Sequence, residues 1–184
     1  MDPDTRFLAL FDMAYAPLYR YAQHRGLTGP DAEDLVAQTL ETAWRRIGDV
    51  PVEEPLPWLY AVARNLWRNQ ARRERRRRAL LARFRASQPA AAGQDPASLE
   101  PGVLRAALAS LSDSDQEILR LIAWDGLTPA EAARALGCTS AAARTRLHRA
   151  RARLAVQLGI SPDMQRRARP GHKQGDSLDS MEVP

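Results

Sequence analysis

The stretch LTPAEAARALGCTSAAARTRLHRARARL, residues 127 to 154, encodes two short helices and the bend between them. Thr128, Pro129 and Glu131 spell a capping box with proline at the first helical position, which starts a helix after Leu127. Gly137 ends it, and Thr139 or Ser140 can cap the helix that follows. On this second helix Leu147, Ala150 and Leu154 recur at i, i+3 and i+7 and should face a core. Arg144, Thr145, His148 and Arg149 then point the other way, where the N-terminal half of a recognition helix meets base edges in a major groove. Two helices joined by a tight glycine turn are the layout of a helix-turn-helix. The same pairing occurs in bundles that bind nothing, and it is the five arginines between 142 and 158 that favour DNA. Arg146, Arg151 and Arg153 suit phosphates or plain solvent equally well.

Upstream, Ser112 with Asp115 three residues on begins a helix carrying Ile118, Leu119, Leu121, Ile122 and Trp124. Before it, RASQPAAAGQDPASLEPG is broken by proline and glycine and poor in bulky apolar residues, the composition of a flexible linker. PWLYAVARNLWRNQARRERRRR, from residue 57, reads as one helix continuing to about residue 84, with Leu59, Ala63 and Leu66 on its core side. GDVPVEEPLP, residues 48 to 57, holds three prolines in ten residues and reads as a loop. Pro30, followed by Asp31, Glu33 and Asp34, opens a helix through Leu35, Leu40 and Trp44, all three expected to serve the core, ending at Gly48. Apolar positions from Phe7 to Tyr21 give a first helix over 4–25. The expected architecture is all-α, with two small helical domains joined by a flexible linker. Their bounds are 1–84, linker 85–102, and 103–160 with the helix-turn-helix; a tail over 161–184, rich in proline, glycine and charge, is expected to be disordered.

Charge follows the same division. Residues 1–56 carry 5 basic and 10 acidic groups, and residues 57–85 carry 10 arginines against Glu74 alone. Residues 86–141 return to 3 against 7, and 142–158 hold 5 arginines and no acid. Lys173 is the one lysine, so the cations are guanidinium forks suited to phosphate and base edges. A single cysteine, Cys138, leaves no internal disulfide, and His24, His148 and His172 are too scattered for zinc-ligand spacing. No acid-base or nucleophile cluster stands out, so neither an enzyme nor a cofactor is expected. No apolar run nears the roughly 20 residues of a bilayer span, and Met1 is followed by Asp2 and Asp4, which points to a cytoplasmic protein without membrane insertion.

DAEDLVAQTLETAWRR (31–46) followed by PWLYAVARNLWRNQARR (57–73), with the helix-turn-helix stretch after them, resembles the two conserved lobes of a bacterial RNA polymerase sigma factor. Two lobes, a short linker and no intervening domain match the extracytoplasmic-function (ECF) group. The resemblance, over roughly residues 5–158, implies a factor that binds core RNA polymerase, directs initiation at promoter DNA and leaves room for an anti-sigma factor as a further partner.

Residue by residue, it places Asp31, Asp34, Leu35, Gln38 and Glu41 on the polymerase clamp, with outward Asp34, Gln38 and Glu41 the safest. The loop from Gly48 to Pro57 would close over a base flipped from the minus-ten element, in a pocket lined by Tyr60, Val62 and Asn65. Stacking on such a wall returns roughly 1–3 kcal/mol per base. Arg64, Arg68, Arg72 and Arg73 would follow the DNA backbone, and Arg144, Thr145, His148 and Arg149 would read the minus-thirty-five element. Where relatives often carry GTV, this chain has Ala141, Ala142 and Ala143, so phosphate anchoring falls to helix N-terminal amides or arginines. Two alternatives stay open at this level: a helix-turn-helix regulator acting without polymerase, and a helical adaptor that binds no DNA.

Overall fold

Local signals set where each helix begins. The Asp2 carboxylate accepts the Thr5 amide at 3.3 Å and starts α1, Pro3–Gln23, which runs unbroken through Pro17. Pro30 opens α2, Pro30–Arg45, and a single 3₁₀ turn, Ile47–Asp49, follows it. The third helix, α3, spans Pro55–Phe84. Then come α4 (Gly102–Ala109), α5 (Asp113–Ala123), α6 (Pro129–Leu136) and α7 (Ser140–Gln157). This computed structural model describes residues 2–84 and 102–160. Among them are seven α-helices and no strand. The expected disordered tail lies outside the described residues, as does the expected linker apart from Gly102, which already belongs to α4.

Expected caps are present and account for the short helices of the second lobe. Ser112 Oγ accepts the Asp115 amide at 3.3 Å. At α6 the box is closed in both directions: Thr128 Oγ1 accepts the Glu131 amide at 3.3 Å, and the Thr128 amide donates to Glu131 Oε2 at 2.6 Å. Those bonds hold the Glu131 carboxyl below its ordinary pKa. Gly137 sits at φ 66°, the left-handed conformation that ends a helix and that side chains with a Cβ resist. Thr139, not Ser140, caps α7, accepting the Ala142 amide at 3.2 Å.

The proline-rich segment 48–57 is less of a loop than its composition suggests. Gly48 and Asp49 lie in the 3₁₀ turn, and Pro55 and Pro57 are inside the first turn of α3. The first turn of a helix has amides without intrahelical acceptors, so proline costs nothing there.

In the first lobe Leu10, Ala14, Leu18 and Tyr21 of α1 meet Leu35, Val36 and Leu40 of α2 and Leu59 and Ala63 of α3. In the second, Leu108, Ile118 and Leu119 pack against Ala143, Leu147 and Ala150 of α7. Leu154 is half-buried against the same cluster. The two lobes are also docked on each other. Leu121, Leu127, Ala132 and Ala135 of the second lobe belong to the buried cluster of the first. Trp44 departs from expectation, because it stays 43% exposed, edge-on to Phe7 at 5.1 Å between ring centres.

Candidate nucleic-acid interface

On α7 the apolar residues do the packing, and a set of polar ones faces outward. Ala143, Leu147 and Ala150 are buried, while Arg144, Thr145, His148 and Arg149 are all exposed. The four expected base readers therefore share one open face. None of their side chains makes a hydrogen bond or ion pair within the described residues, so those donors are available to an outside partner. Arg151 is exposed as well. Arg153, expected to meet phosphate or solvent, instead pairs with the buried Asp115 carboxylate and ties α7 to α5.

The structure separates the residues expected to line one base pocket. Val62 is half-buried and Asn65 exposed, and with one turn between them they share a face of α3. Tyr60 lies about 140° from Asn65 at the helical repeat. It is only 3% exposed and stacks on Tyr21 with ring centres 5.1 Å apart. Burial first, and then the Asp125 carboxylate of the second lobe, push its hydroxyl pKa up to about 12. Tyr60 is thus a core residue in this conformation, not a pocket wall. Arg64, on its side of the helix, is half-buried with Nε lacking a hydrogen-bond partner. Desolvation lowers its pKa, and Glu117 of the second lobe partly restores it. Arg68 is half-buried, and Arg72 and Arg73 are exposed. Arg64, Arg68 and Arg75 line a cleft of about 290 Å³ shared with Ser112 to Ser114.

On α2, Asp31, Asp34, Gln38 and Glu41 form one exposed stripe, with Gln38 donating to Asp34 at 2.6 Å and Arg45 to Glu41 at 2.5 Å. Leu35 does not belong to that stripe. At 3% exposure it is core, packed in the cluster with Leu10, Ala14 and Leu59. The exposed Trp44 and Leu8, with the half-buried Phe7 between them, form an apolar patch beside Glu41 and Asp4 that the sequence reading had left out.

Residues 10–77 match the family described as Sigma-70 region 2, and residues 102–154 match Sigma-70, region 4. The ECF RNA polymerase sigma factor SigL of Mycobacterium tuberculosis (strain H37Rv) is 31% identical over 145 residues, covering 76% of this chain and 81% of that protein. The ECF RNA polymerase sigma factor EcfG of Rhodopseudomonas palustris (strain TIE-1) is 36% identical over 134 residues, 70% and 72% of the two chains. The chain belongs to the ECF sigma factors. Among solved structures, CnrH in complex with the cytosolic domain of CnrY has 27% identity and a TM-score of 0.59 over 84% of this chain and 88% of that one. The sigma factor RpoE in complex with the anti-sigma factor NepR from Bartonella quintana has 26% identity and a TM-score of 0.60, covering 84% and 98%.

As a sigma factor the protein binds core RNA polymerase and directs promoter-specific initiation, with no chemistry of its own. Residue by residue, the sequence reading missed the junction of the sigma factor's two lobes. Arg25, at the end of α1, has a side chain with 0% exposure. It donates from Nε to Glu117 Oε2 at 3.2 Å, from Nη2 to Glu117 Oε1 at 2.9 Å and from Nη2 to Asp125 Oδ2 at 3.1 Å. Tyr21 donates its hydroxyl to Glu117 at 3.1 Å, and His24 Nδ1 lies 3.0 Å from Asp125. Burial alone would pull the Arg25 pKa down; the surrounding Tyr21, Glu117 and Asp125 outweigh it and raise the pKa, so the guanidinium remains charged. An exposed pair, Glu54 with Arg134, bridges the lobes at their rim. Nothing short-range in the sequence distinguishes Arg25 from Arg20; the signal lies in complementary charges about 90–100 residues apart, visible only once the fold brings them together.

Proposed function

We propose that this sigma factor reads the minus-thirty-five element with Arg144, Thr145, His148 and Arg149, and captures the minus-ten strand on α3 with Val62 and Asn65. The reading rests on the open, unpaired face of α7, since side chains without internal partners lose no protein contacts when they bind base edges. Arg68, Arg72 and Arg73 follow the phosphates and supply the salt-dependent part of affinity. The polymerase clamp is met by Asp31, Asp34, Gln38 and Glu41, extended by Trp44 and Phe7 as apolar anchors. Work on polymerase and promoter supports a cytoplasmic location. The complexes of CnrH and RpoE support a further partner, an anti-sigma factor, for this chain too.

Transcription in vitro with core polymerase over a genomic promoter library tests this directly. Initiation at a defined promoter set should depend on adding the protein. Asn65→Ala should then slow promoter opening while core binding is unchanged. An equal loss of both would make Asn65 structural. Arg149→Ala should relax preference at one minus-thirty-five position, whereas a uniform loss over all sequences would reassign Arg149 to phosphate.

A further inference from the structure

The cleft between α3 and the start of α5 gathers positive charge that the chain itself leaves unanswered. Arg64, Arg68 and Arg75 line it with Trp67 on one side, and Ser112 to Ser114 with Glu117 on the other. Arg64 and Arg68 make no hydrogen bond or ion pair among the described residues, and Arg64 Nε is covered without gaining one. Arg75 donates to the Ala71 carbonyl one turn back, at 3.4 Å, and pairs with no acid. Desolvation lowers the Arg64 pKa, Glu117 opposes that shift, and the like charges of Arg68 and Arg146 add to it. Of the two acids in the lining, Glu117 already accepts from Arg25 at both oxygens and from Tyr21 at one. That leaves Asp113 against three guanidiniums, so an anion entering the cleft meets donors that lose no internal partner.

The rest of the lining indicates which anion. The amides of Asp113 and Ser114 open α5, where a helix supplies no acceptor and the macrodipole is positive, while the Asp115 amide behind them is taken by Ser112 Oγ. Arg64 and Arg75 stand about 16 Å apart along α3 at the helical rise, so a chain of phosphates meets them better than a single phosphate does. Trp67 is half-buried against the first lobe's cluster and has no ring or cation partner among the described residues, which leaves it as an apolar wall. At about 290 Å³ the cleft stands at the lower bound of small-molecule sites, about 300–1,000 Å³, which suits one nucleotide and not a dinucleotide. We propose that this cleft binds a nucleoside di- or triphosphate, with its phosphates on Arg64, Arg68, Arg75 and the amides opening α5, and its base against Trp67. The site goes beyond promoter reading. Of the residues proposed for the minus-ten strand and its phosphates, it uses only Arg68.

Isothermal titration of the full chain with GDP, ADP, pyrophosphate and a DNA trinucleotide tests the site. GDP or ADP should bind saturably and more tightly than pyrophosphate. Arg75→Gln, which removes an exposed side chain, should weaken that binding at least tenfold, and so should Arg64→Gln. Arg45→Gln, on the exposed face of α2 and outside the cleft lining, controls for net charge and should leave it unchanged. Trp67→Leu should weaken the nucleotide about tenfold, to the level of pyrophosphate, while pyrophosphate is held as before. If Arg64→Gln or Trp67→Leu lowers helicity, Arg75→Gln and the comparison of GDP with pyrophosphate on the unaltered chain decide. Three results each overturn the proposal: no saturable nucleotide binding, pyrophosphate held as tightly as the nucleotides, or a loss in Arg75→Gln no greater than in Arg45→Gln. A trinucleotide that binds as tightly as GDP and loses as much in Arg75→Gln also overturns it, because the cleft then belongs to the path of the DNA strand.

Discussion

At the scale of single residues, burial decides which charges matter. Arg25 and Arg134 both pair across the lobes, yet the first is covered and the second half exposed. Removing one partner of a buried pair strands the other's charge, so Arg25→Met should lower stability by about 3–5 kcal/mol in urea unfolding. Arg134→Ala should change it by no more than about 1 kcal/mol. Tyr60 adds a pH signature. Its pKa rises from 10.0 in the open chain to about 12 in the fold, so the unfolded state gives up the proton first. Stability from this group is therefore complete below about pH 10 and falls as the pH climbs towards 12. An ultraviolet titration of the phenolates should show Tyr60 ionising together with unfolding, and Tyr60→Phe should remove that part of the alkaline loss. Trp44→Ala should weaken polymerase binding with little change in melting temperature; a large drop in melting would return Trp44 to the core where the sequence reading had put it. Tyr60 lies on the core side of α3, a face that Val62 and Asn65 do not share, which the helical repeat already implies.

At the scale of elements, sequence reading succeeded where the interactions are local. The caps of α5, α6 and α7 lie within three residues of the amides they satisfy, so spacing alone picks out Ser112 and Thr128 and narrows the third to Thr139 or Ser140, a choice only the structure makes. Thr128→Ala should cost about 1 kcal/mol, read as a shifted urea midpoint with unchanged slope. Gly137→Ala should cost about as much, because nothing crowds the added Cβ and only the left-handed backbone resists it. Proline was the less dependable signal. It reads as a breaker in 48–57, but Pro55 and Pro57 fall in a first turn; in α1 the helical spacing of Leu10, Ala14, Leu18 and Tyr21 carries the helix through Pro17, as the periodicity over 4–25 leads one to expect.

At the scale of the whole molecule, the order and kind of the two lobes were legible, and their mutual docking was not. Motifs are written along the chain, but a shared core depends on surfaces that no local pattern describes. Because Leu121, Leu127, Ala132 and Ala135 complete the first lobe's cluster, the lobes should melt in one calorimetric transition. Glu117→Gln with Asp125→Asn should split that transition in two, and a single sharp transition in the variant would mean that the apolar contacts alone couple the lobes.

The division of labour on α7 has a consequence for ancestry. The residues that hold the helix, Ala143, Leu147 and Ala150, are buried, and those that face outward, Arg144, Thr145, His148 and Arg149, are exposed, although the two sets are interleaved along the chain. Mutation of the outward set leaves the fold's energetics nearly untouched. A lineage carrying this helix can drift from one promoter sequence to another, one substitution at a time, without passing through forms that fail to fold.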